Sequence, residues 1–299
     1  MQGKVCVITG ANNGFGFVSA QRLAALGATV VMVCRSRERG EAARQKIAAA
    51  TGQRPELYVG DFLLQADVRR VAAEIGAAHD KVDVLVNNAG YAFSERVVTA
   101  EGFERTFALN YLAYFTFTRD LLPQLRRSGA GRIINVASSS HRWRDIRLDN
   151  LQGEKEFPIR RFPPLSGMYG WSNVCRIMLT YEQAERYRAD GLTANCLCPG
   201  FVPVVRAGAT AFQNLMIRVV PLFMKNVRTP EQAAETVVYL ASSPEAASLN
   251  GVYFQSGVRM RSSDQTYDAA LRRQLWAVTE ELIAKAEANA SIAQPQPIA

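Results

Sequence analysis

Residues 9–16 read TGANNGFG, directly after the apolar run VCVI and at the start of a helical pattern. Gly10, Gly14 and Gly16 fall at the spacing GxxxGxG. Glycine lets the chain turn sharply and leaves room for a diphosphate against the backbone, while the first turn of the following helix offers it unpaired N–H groups. A glycine pattern alone says little. Between a strand and a helix in an alternating chain it specifies a dinucleotide-binding turn. The cofactor is therefore expected against Gly10, Asn12, Asn13, Gly14, Phe15 and Gly16.

Outward from this turn, short β-type runs alternate with helical ones: KVCVITG, GFVSAQRLAAL, ATVVMVCR, RERGEAARQKIAAA, ELYVGD, a helix to about Ala78, then VDVLVNNAG. Such alternation makes parallel strands joined by crossover helices. The expected class is α/β, a Rossmann-type doubly wound parallel sheet of about seven strands with helices on both faces. Farther along, a long helix is expected from about Glu101 to Arg127, a strand in GRIINVASSS and an Arg- and Pro-rich insertion loop over about 141–165. A helix from Ser166 to about Ala189, a strand in LTANCLCPG, an amphipathic stretch from Ala207 to Lys225, a helix in TPEQAAETVVYLAS and a strand in NGVYFQSG follow. A single dinucleotide-binding domain over residues 1–288 accounts for these elements, and residues 289–299 are expected to form a disordered tail.

Composition narrows the partners. The 299 residues are 48% hydrophobic and 21% charged, as in ordinary globular proteins. The formal charge of +8 suits phosphate-bearing ligands, but the basic residues are scattered with no aromatic-interleaved basic motif, so nucleic acid is not an expected partner. The start MQGKVCVITG lacks a signal-peptide pattern, and NLMIRVVPLFMK is broken by Arg218 and Pro221 short of the roughly 20 residues a transmembrane helix needs. A soluble, cytoplasmic protein is expected. The five cysteines are an odd number, and although Cys196 and Cys198 share a strand face, no second pair or His cluster completes a metal set. They read as buried small hydrophobes, with no metal site.

After the second strand, where an NAD-selective site usually carries Asp or Glu, the chain reads CRSR. Arg35, with Arg37 as a second candidate, can pair with a 2′-phosphate, which favours NADP(H) over NAD(H).

TGANNGFG, GDF at Gly60–Phe62, NNAG at Asn87–Gly90, LNYLAYF around Asn110, NVASSS after the fifth strand and PG at Pro199–Gly200 occur in that order. On these motifs the chain resembles the short-chain dehydrogenase/reductase family over nearly its whole length. DNLQGEKEF, the long loop before Tyr169 and TPEQAAETVVYLASSP look like its retinol dehydrogenase and protochlorophyllide reductase-like branch, which implies a bulky, hydrophobic small-molecule carbonyl or alcohol as substrate. The resemblance implies Asp61 as the acid contacting adenine, with Phe62 beside it, and Asn88, Ala89, Gly90, Pro199, Gly200 and Val202 as further cofactor contacts. It implies Ser138 as the residue binding the substrate oxygen, with Ser139 and Ser140 as alternatives, Tyr169 as the proton donor and Asn110 as the asparagine of a proton relay. It also makes residues of about 205–226 a lid over the substrate, and allows a homodimer through helices around Glu101–Arg127 and Ser166–Ala189.

One helical turn after the tyrosine, the family carries a lysine that holds the nicotinamide ribose and lowers the tyrosine pKa. Here that position is Asn173, and no lysine occurs between Lys155 and Lys225. Asn173 faces the same side of the helix as Tyr169 and is expected to hydrogen-bond the ribose, but an amide has no charge. Arg176, at i+7, lies on that face and could supply charge indirectly. The hydroxyl residue usual after PG is also missing from FVPVV. A phenol without a neighbouring cation ionises at about 10, so at neutral pH it donates a proton well and accepts one poorly. The implied activity is NADPH-dependent reduction of a bulky apolar carbonyl, conjugated ketone or imine. A non-redox cyclase or isomerase using neutral Tyr169, and a catalytically silent NADP(H)-binding regulator, are the alternatives. Trp171 is expected to pack, and His141, three residues after Ser138 in an Arg-rich loop, to be solvated, with a substitute acid or base as the alternative.

Overall fold

A computed structural model describes residues 1–93, 95–155, 157, 167–203 and 227–293. The elements run β1 (Val5–Thr9), α1 (Gly14–Ala25), β2 (Thr29–Cys34), α2 (Arg37–Thr51), β3 (Glu56–Val59), α3 (Gln65–Ala78) and β4 (Val84–Asn87). Then come α4 (Arg105–Phe107), a π-helical turn (Ala108–Leu112), α5 (Ala113–Asp120), α6 (Leu122–Arg127) and β5 (Arg132–Val136). The remainder is α7 (Met168–Arg186), β6 (Thr193–Cys198), α8 (Pro230–Ser242), β7 (Tyr253–Gln255), β8 (Val258–Met260) and α9 (Ala269–Ala293).

The sheet order is β3-β2-β1-β4-β5-β6-β7-β8, parallel from β3 to β7. Strands with both faces covered read as continuous apolar runs, and the central strands β1, β2, β4 and β5 split their side chains between two cores. Cys6, Ile8, Met32, Val86 and Ile134 pack with Ala20 and Leu23 of α1, Ile47 of α2 and Val237 and Leu240 of α8. Val7, Val31, Leu85 and Ile133 pack on the opposite face with Val71 of α3, Phe117 of α5 and Met178 of α7. All five cysteines are buried and free, and burial pushes the Cys6 and Cys34 thiols up to about 12.

Three features of the elements go beyond or depart from the expectations. The parallel part of the sheet has the seven strands expected, and an eighth is added where Ser256 and Gly257, with φ of 53° and 87°, form a tight turn that folds β8 back antiparallel on β7. Both residues at positive φ is the twist a two-residue hairpin favours, and the dipeptide SG was its signal. The long helix over Glu101–Arg127 is instead broken. Gly102 turns at φ 83°, Glu104 caps α4 by accepting the Phe107 N–H, and the backbone widens to a π turn over Ala108–Leu112. Pro123 has no N–H and its ring crowds the carbonyl four residues back, which separates α5 from α6. The terminal helix α9 runs to Ala293, beyond the Ala288 end expected.

The strand order reverses between β1 and β4, and a ligand crevice opens at the carboxyl ends of strands at such a reversal. Below it, buried amides cross-link the layers. Asn87 Nδ2 donates to Asn135 Oδ1 at 2.9 Å, and Asn135 Nδ2 donates to Thr180 Oγ1 at 3.0 Å and Gln183 Oε1 at 2.9 Å. Asn135→Ala removes all three bonds and strips Gln183 Oε1 of its donor, while Asn87 keeps Thr118 and Thr180 keeps the Arg176 carbonyl; it should cost about 1–3 kcal/mol, read as a lower urea midpoint with an unchanged slope.

Candidate active site

The turn after β1 is locked to the loop after β4. Asn88 N and Ala89 N both donate to Thr9 Oγ1 at 2.9 Å, and Asn88 Nδ2 donates to Thr9 O at 2.8 Å and Gly10 O at 3.3 Å. A Cβ at Gly16 would stand 2.4 Å from Asn88 Nδ2 and 2.7 Å from Gly10 O, so only glycine lets α1 approach the two strand ends this closely. Gly10 and Gly14 hold φ of 68° and 57°, and Asn13 caps α1.

A cleft of about 730 Å³ opens here. Of the residues expected at the cofactor, Gly10, Asn12, Asn13, Gly14, Phe15, Gly16, Arg35, Asp61, Phe62, Asn88, Ala89 and Gly90 line it. Pro199, Gly200 and Val202 are not among its lining residues; the backbone of Gly200, at φ 88°, turns beside Ser256 and Arg228. At the end of β2 the second arginine in the cleft is Arg39, not Arg37. Ser36 caps α2, its hydroxyl accepting the Arg39 N–H, and on that helix Arg37 and Arg39, two residues apart, project about 200° from each other, so only one of them can face the cleft. The cleft continues past Gly90 to Tyr91, Phe93, Arg105 and Leu109, with the Tyr91 and Phe93 rings 4.7 Å apart and the Arg105 guanidinium 4.3 Å from the Phe93 ring centre. No sequence motif marked these residues.

Asn110 is fully buried. Its side chain accepts the Tyr91 N–H at 3.0 Å and donates to Tyr91 O at 2.9 Å and Ser172 Oγ at 3.2 Å, tying the loop after β4 to α7. Its main-chain carbonyl, in the π turn, accepts Arg176 Nε.

Asn173 departs from its expected part. It has no solvent exposure, and its NH2 donates to Tyr169 O at 2.7 Å and Ser140 Oγ at 3.3 Å, while its Oδ1 accepts Arg176 Nη1 at 3.3 Å. Both donors are spent inside the protein, so the amide braces α7 to the segment after β5 and is not turned toward a ribose. Ser140 is enclosed with it, which separates the three serines: Ser138 and Ser139 stay half-buried. Ser138 caps the 3₁₀ turn Ser139–Trp143, with its Oγ accepting the Ser140 N–H at 3.3 Å. Tyr169 is half-buried in the first turn of α7, and Asn173 joins that turn to the Ser138 segment.

His141 is buried, against the expectation of a solvated side chain. Its Nδ1 bonds Ser138 O at 2.7 Å, its ring meets Tyr253 edge-on at 5.2 Å, and Nε2 has no partner among the described residues. Burial pulls its pKa down to about 4. Trp171 packs in the core as expected. The lid expected over about 205–226 lies outside the described residues, as does most of the 156–166 part of the insertion loop. Among the described residues no His/Cys/Asp/Glu group could hold a metal, and no helix is long and apolar enough to cross a membrane.

A model of the short chain dehydrogenase family matches residues 4–145. The chain is 34% identical to Retinol dehydrogenase 14 of Homo sapiens, over 95% of this chain and 87% of that protein. It is 33% identical to Retinol dehydrogenase 11 of Mus musculus over the same shares. Among solved structures, an uncharacterised protein from Mycobacterium paratuberculosis superposes with a TM-score of 0.74 at 28% identity, covering 95% of this chain and 94% of that one. L-Sorbose reductase from Gluconobacter frateurii, solved with NADPH and L-sorbose, superposes with a TM-score of 0.68 at 24% identity, covering 85% and 95%.

The buried imidazole gives the site a pH signature. Unfolded, a histidine takes a proton near about 6.5, whereas His141 takes one only near about 4, so between these values the unfolded chain binds more protons. Stability should be level in this contribution above pH 6.5 and fall by roughly 3 kcal/mol as pH drops toward 4. His141→Asn, which keeps a donor near the Nδ1 position, should flatten that part of a plot of urea-unfolding free energy against pH.

Proposed function

The chain belongs to the short-chain dehydrogenase family, and from that premise we propose that it is an NADP(H)-dependent oxidoreductase acting on a bulky apolar carbonyl or its alcohol. The observation that carries the reading is the cleft itself: a glycine turn at the strand reversal, Arg35 and Arg39 where β2 ends, and no acidic side chain in the position directly after that strand. Those groups fit NADP(H). Gly10, Gly14 and Gly16 keep side chains away from a diphosphate, and the paired guanidinium groups suit a 2′-phosphate as no carboxylate would. The identity to proteins named retinol dehydrogenases, together with the Tyr91–Phe93 aromatic rim, supports a large apolar substrate.

When bound, the cofactor supplies or accepts the hydride. The work left to the chain is to hold the substrate oxygen and to move one proton. Ser138, half-buried at the end of β5, can donate a hydrogen bond to that oxygen. Tyr169, held in the first turn of α7, gives the proton to the oxygen during reduction and must take it back during oxidation. Asn110 keeps the loop from Asn88 to Tyr91 against α7, which fixes the cleft floor relative to Tyr169.

Following NADPH consumption with retinal-like polyene aldehydes, conjugated ketones, quinones and imines tests the reading. Turnover should be at least about tenfold more efficient with NADPH than with NADH, and Arg35→Ala combined with Arg39→Ala should raise the KM for NADPH about 10–100-fold while leaving that for NADH nearly unchanged. Tyr169→Phe should lower kcat by about 10²–10⁴-fold. Equal use of both cofactors would refute the cofactor assignment. Tight NADPH binding with no consumption on the whole panel would favour the cyclase or the regulator.

A further inference from the structure

Arg176 is among the largest fully enclosed side chains in the protein, at 2% exposure, and among the described residues it forms no ion pair with a carboxylate. A buried charge of this kind is expensive unless hydrogen bonds or a function compensate it. Its bonds are to the site. Nε donates to the carbonyl of Asn110, Nη1 to the carbonyl of Val136 at 3.1 Å and to Asn173 Oδ1 at 3.3 Å, and Nη2 to the carbonyl of Ala89 at 3.5 Å. Those acceptors belong to the π turn, the end of β5 just before Ser138, the brace of Tyr169, and the cleft wall.

The fit is close on every side. A Cβ at Gly90 would lie 2.6 Å from Arg176 Nη2, so the cleft wall must be glycine where it passes the guanidinium. The Tyr114 ring covers the other side at 4.5 Å, and burial pushes its phenol up to about 12, so it offers a neutral π face and no compensating anion. The charge therefore stays uncompensated and acts on the site through the segments it bonds and through its field.

We propose that Arg176 is the positioning cation of this site: from two turns beyond Tyr169 it braces Ala89, Asn110, Val136 and Asn173 together and supplies the positive charge that Asn173 lacks. The proposal rests on the reading of the cleft as an NADP(H) site. In the family resembled, charge and helix position coincide in a lysine one turn after the tyrosine. In this chain they are divided between Asn173, which contacts Tyr169, and Arg176, which carries the charge.

Four proteins test it: wild type, Arg176→Lys, Arg176→Met and the double variant Asn173→Lys with Arg176→Met. Thermal melting first establishes which are folded. Arg176→Met should lose about 10²-fold in kcat with KM for the carbonyl changed less than about threefold, and Arg176→Lys should keep about a tenth of wild-type kcat. The double variant, with charge returned one turn earlier, should regain at least about tenfold over Arg176→Met. A packing role alone gives no reason for that recovery. A double variant no better than Arg176→Met, or a folded Arg176→Met within about threefold of wild type, overturns the proposal.

A second readout needs no turnover. A buried cation behind Ala89 and Gly90 disfavours the positively charged nicotinamide of NADP⁺ relative to NADPH. The ratio of their Kd values, by fluorescence or calorimetry, should move about tenfold toward NADP⁺ in Arg176→Met and stay near wild type in Arg176→Lys. Should Arg176→Met not fold, the same ratio in the folded Arg176→Lys and the double variant decides: both keep the wild-type preference for NADPH if charge sets it, and loss of that preference in the double variant overturns the proposal. Absence of any NADP(H) binding by wild type would refute the cofactor reading, whereas binding with an unchanged ratio refutes only the role of Arg176.

Discussion

The hydrogen bonds between Thr9 and the Asn88–Ala89 backbone hold the site together. They join the ends of β1 and β4, the two strands between which the sheet reverses, and the segments that follow these two strands line the middle of the cleft. Thr9 is buried, so its hydroxyl has no water to fall back on, and its oxygen collects two main-chain N–H groups that the ladder leaves over. Asn88 returns the bond from its side chain to the glycine turn, in the space that the missing Cβ of Gly16 leaves open. Glycine spacing, strand order and amide chemistry are thus one constraint seen three ways.

A second set of bonds carries this rigidity across the cleft floor to α7. Asn110 grips the Tyr91 peptide with both ends of its amide, and its own carbonyl faces Arg176 from a turn widened to π geometry. A regular α-helix commits each interior carbonyl to the N–H four residues on; widening by one residue changes that pairing, and such turns cluster at functional sites. The irregularity lies where a side chain from another helix needs a main-chain acceptor.

Much of this was legible in the residues. Alternating apolar runs gave the doubly wound sheet because strands buried on both faces have nowhere to put polar side chains, and Gly10, Asn12 to Gly16, Asp61 and Asn88 to Gly90 all line the cleft. The break of the Glu101–Arg127 helix was less visible: its apolar period persists through the π turn, and only Gly102, Glu104 and Pro123 hint at interruptions. The arginines around His141 suggest water, whereas the 3₁₀ turn capped by Ser138 folds the imidazole inward against Tyr253 and leaves the arginine beside it at the surface.

The amino-acid order by itself determined the fold class, the phosphate turn, the basic end of β2 and the absence of lysine after Tyr169, since each follows from local spacing and side-chain chemistry. Tertiary structure alone decided what replaces that lysine. Nothing in the spacing of Asn173 and Arg176 says that one amide would spend both its donors on Tyr169 and Ser140, or that the guanidinium would reach carbonyls at residues 89, 110 and 136. Those partners come from three segments far apart in the chain, and only the packing of α7 against the sheet brings them within hydrogen-bonding distance of one buried charge.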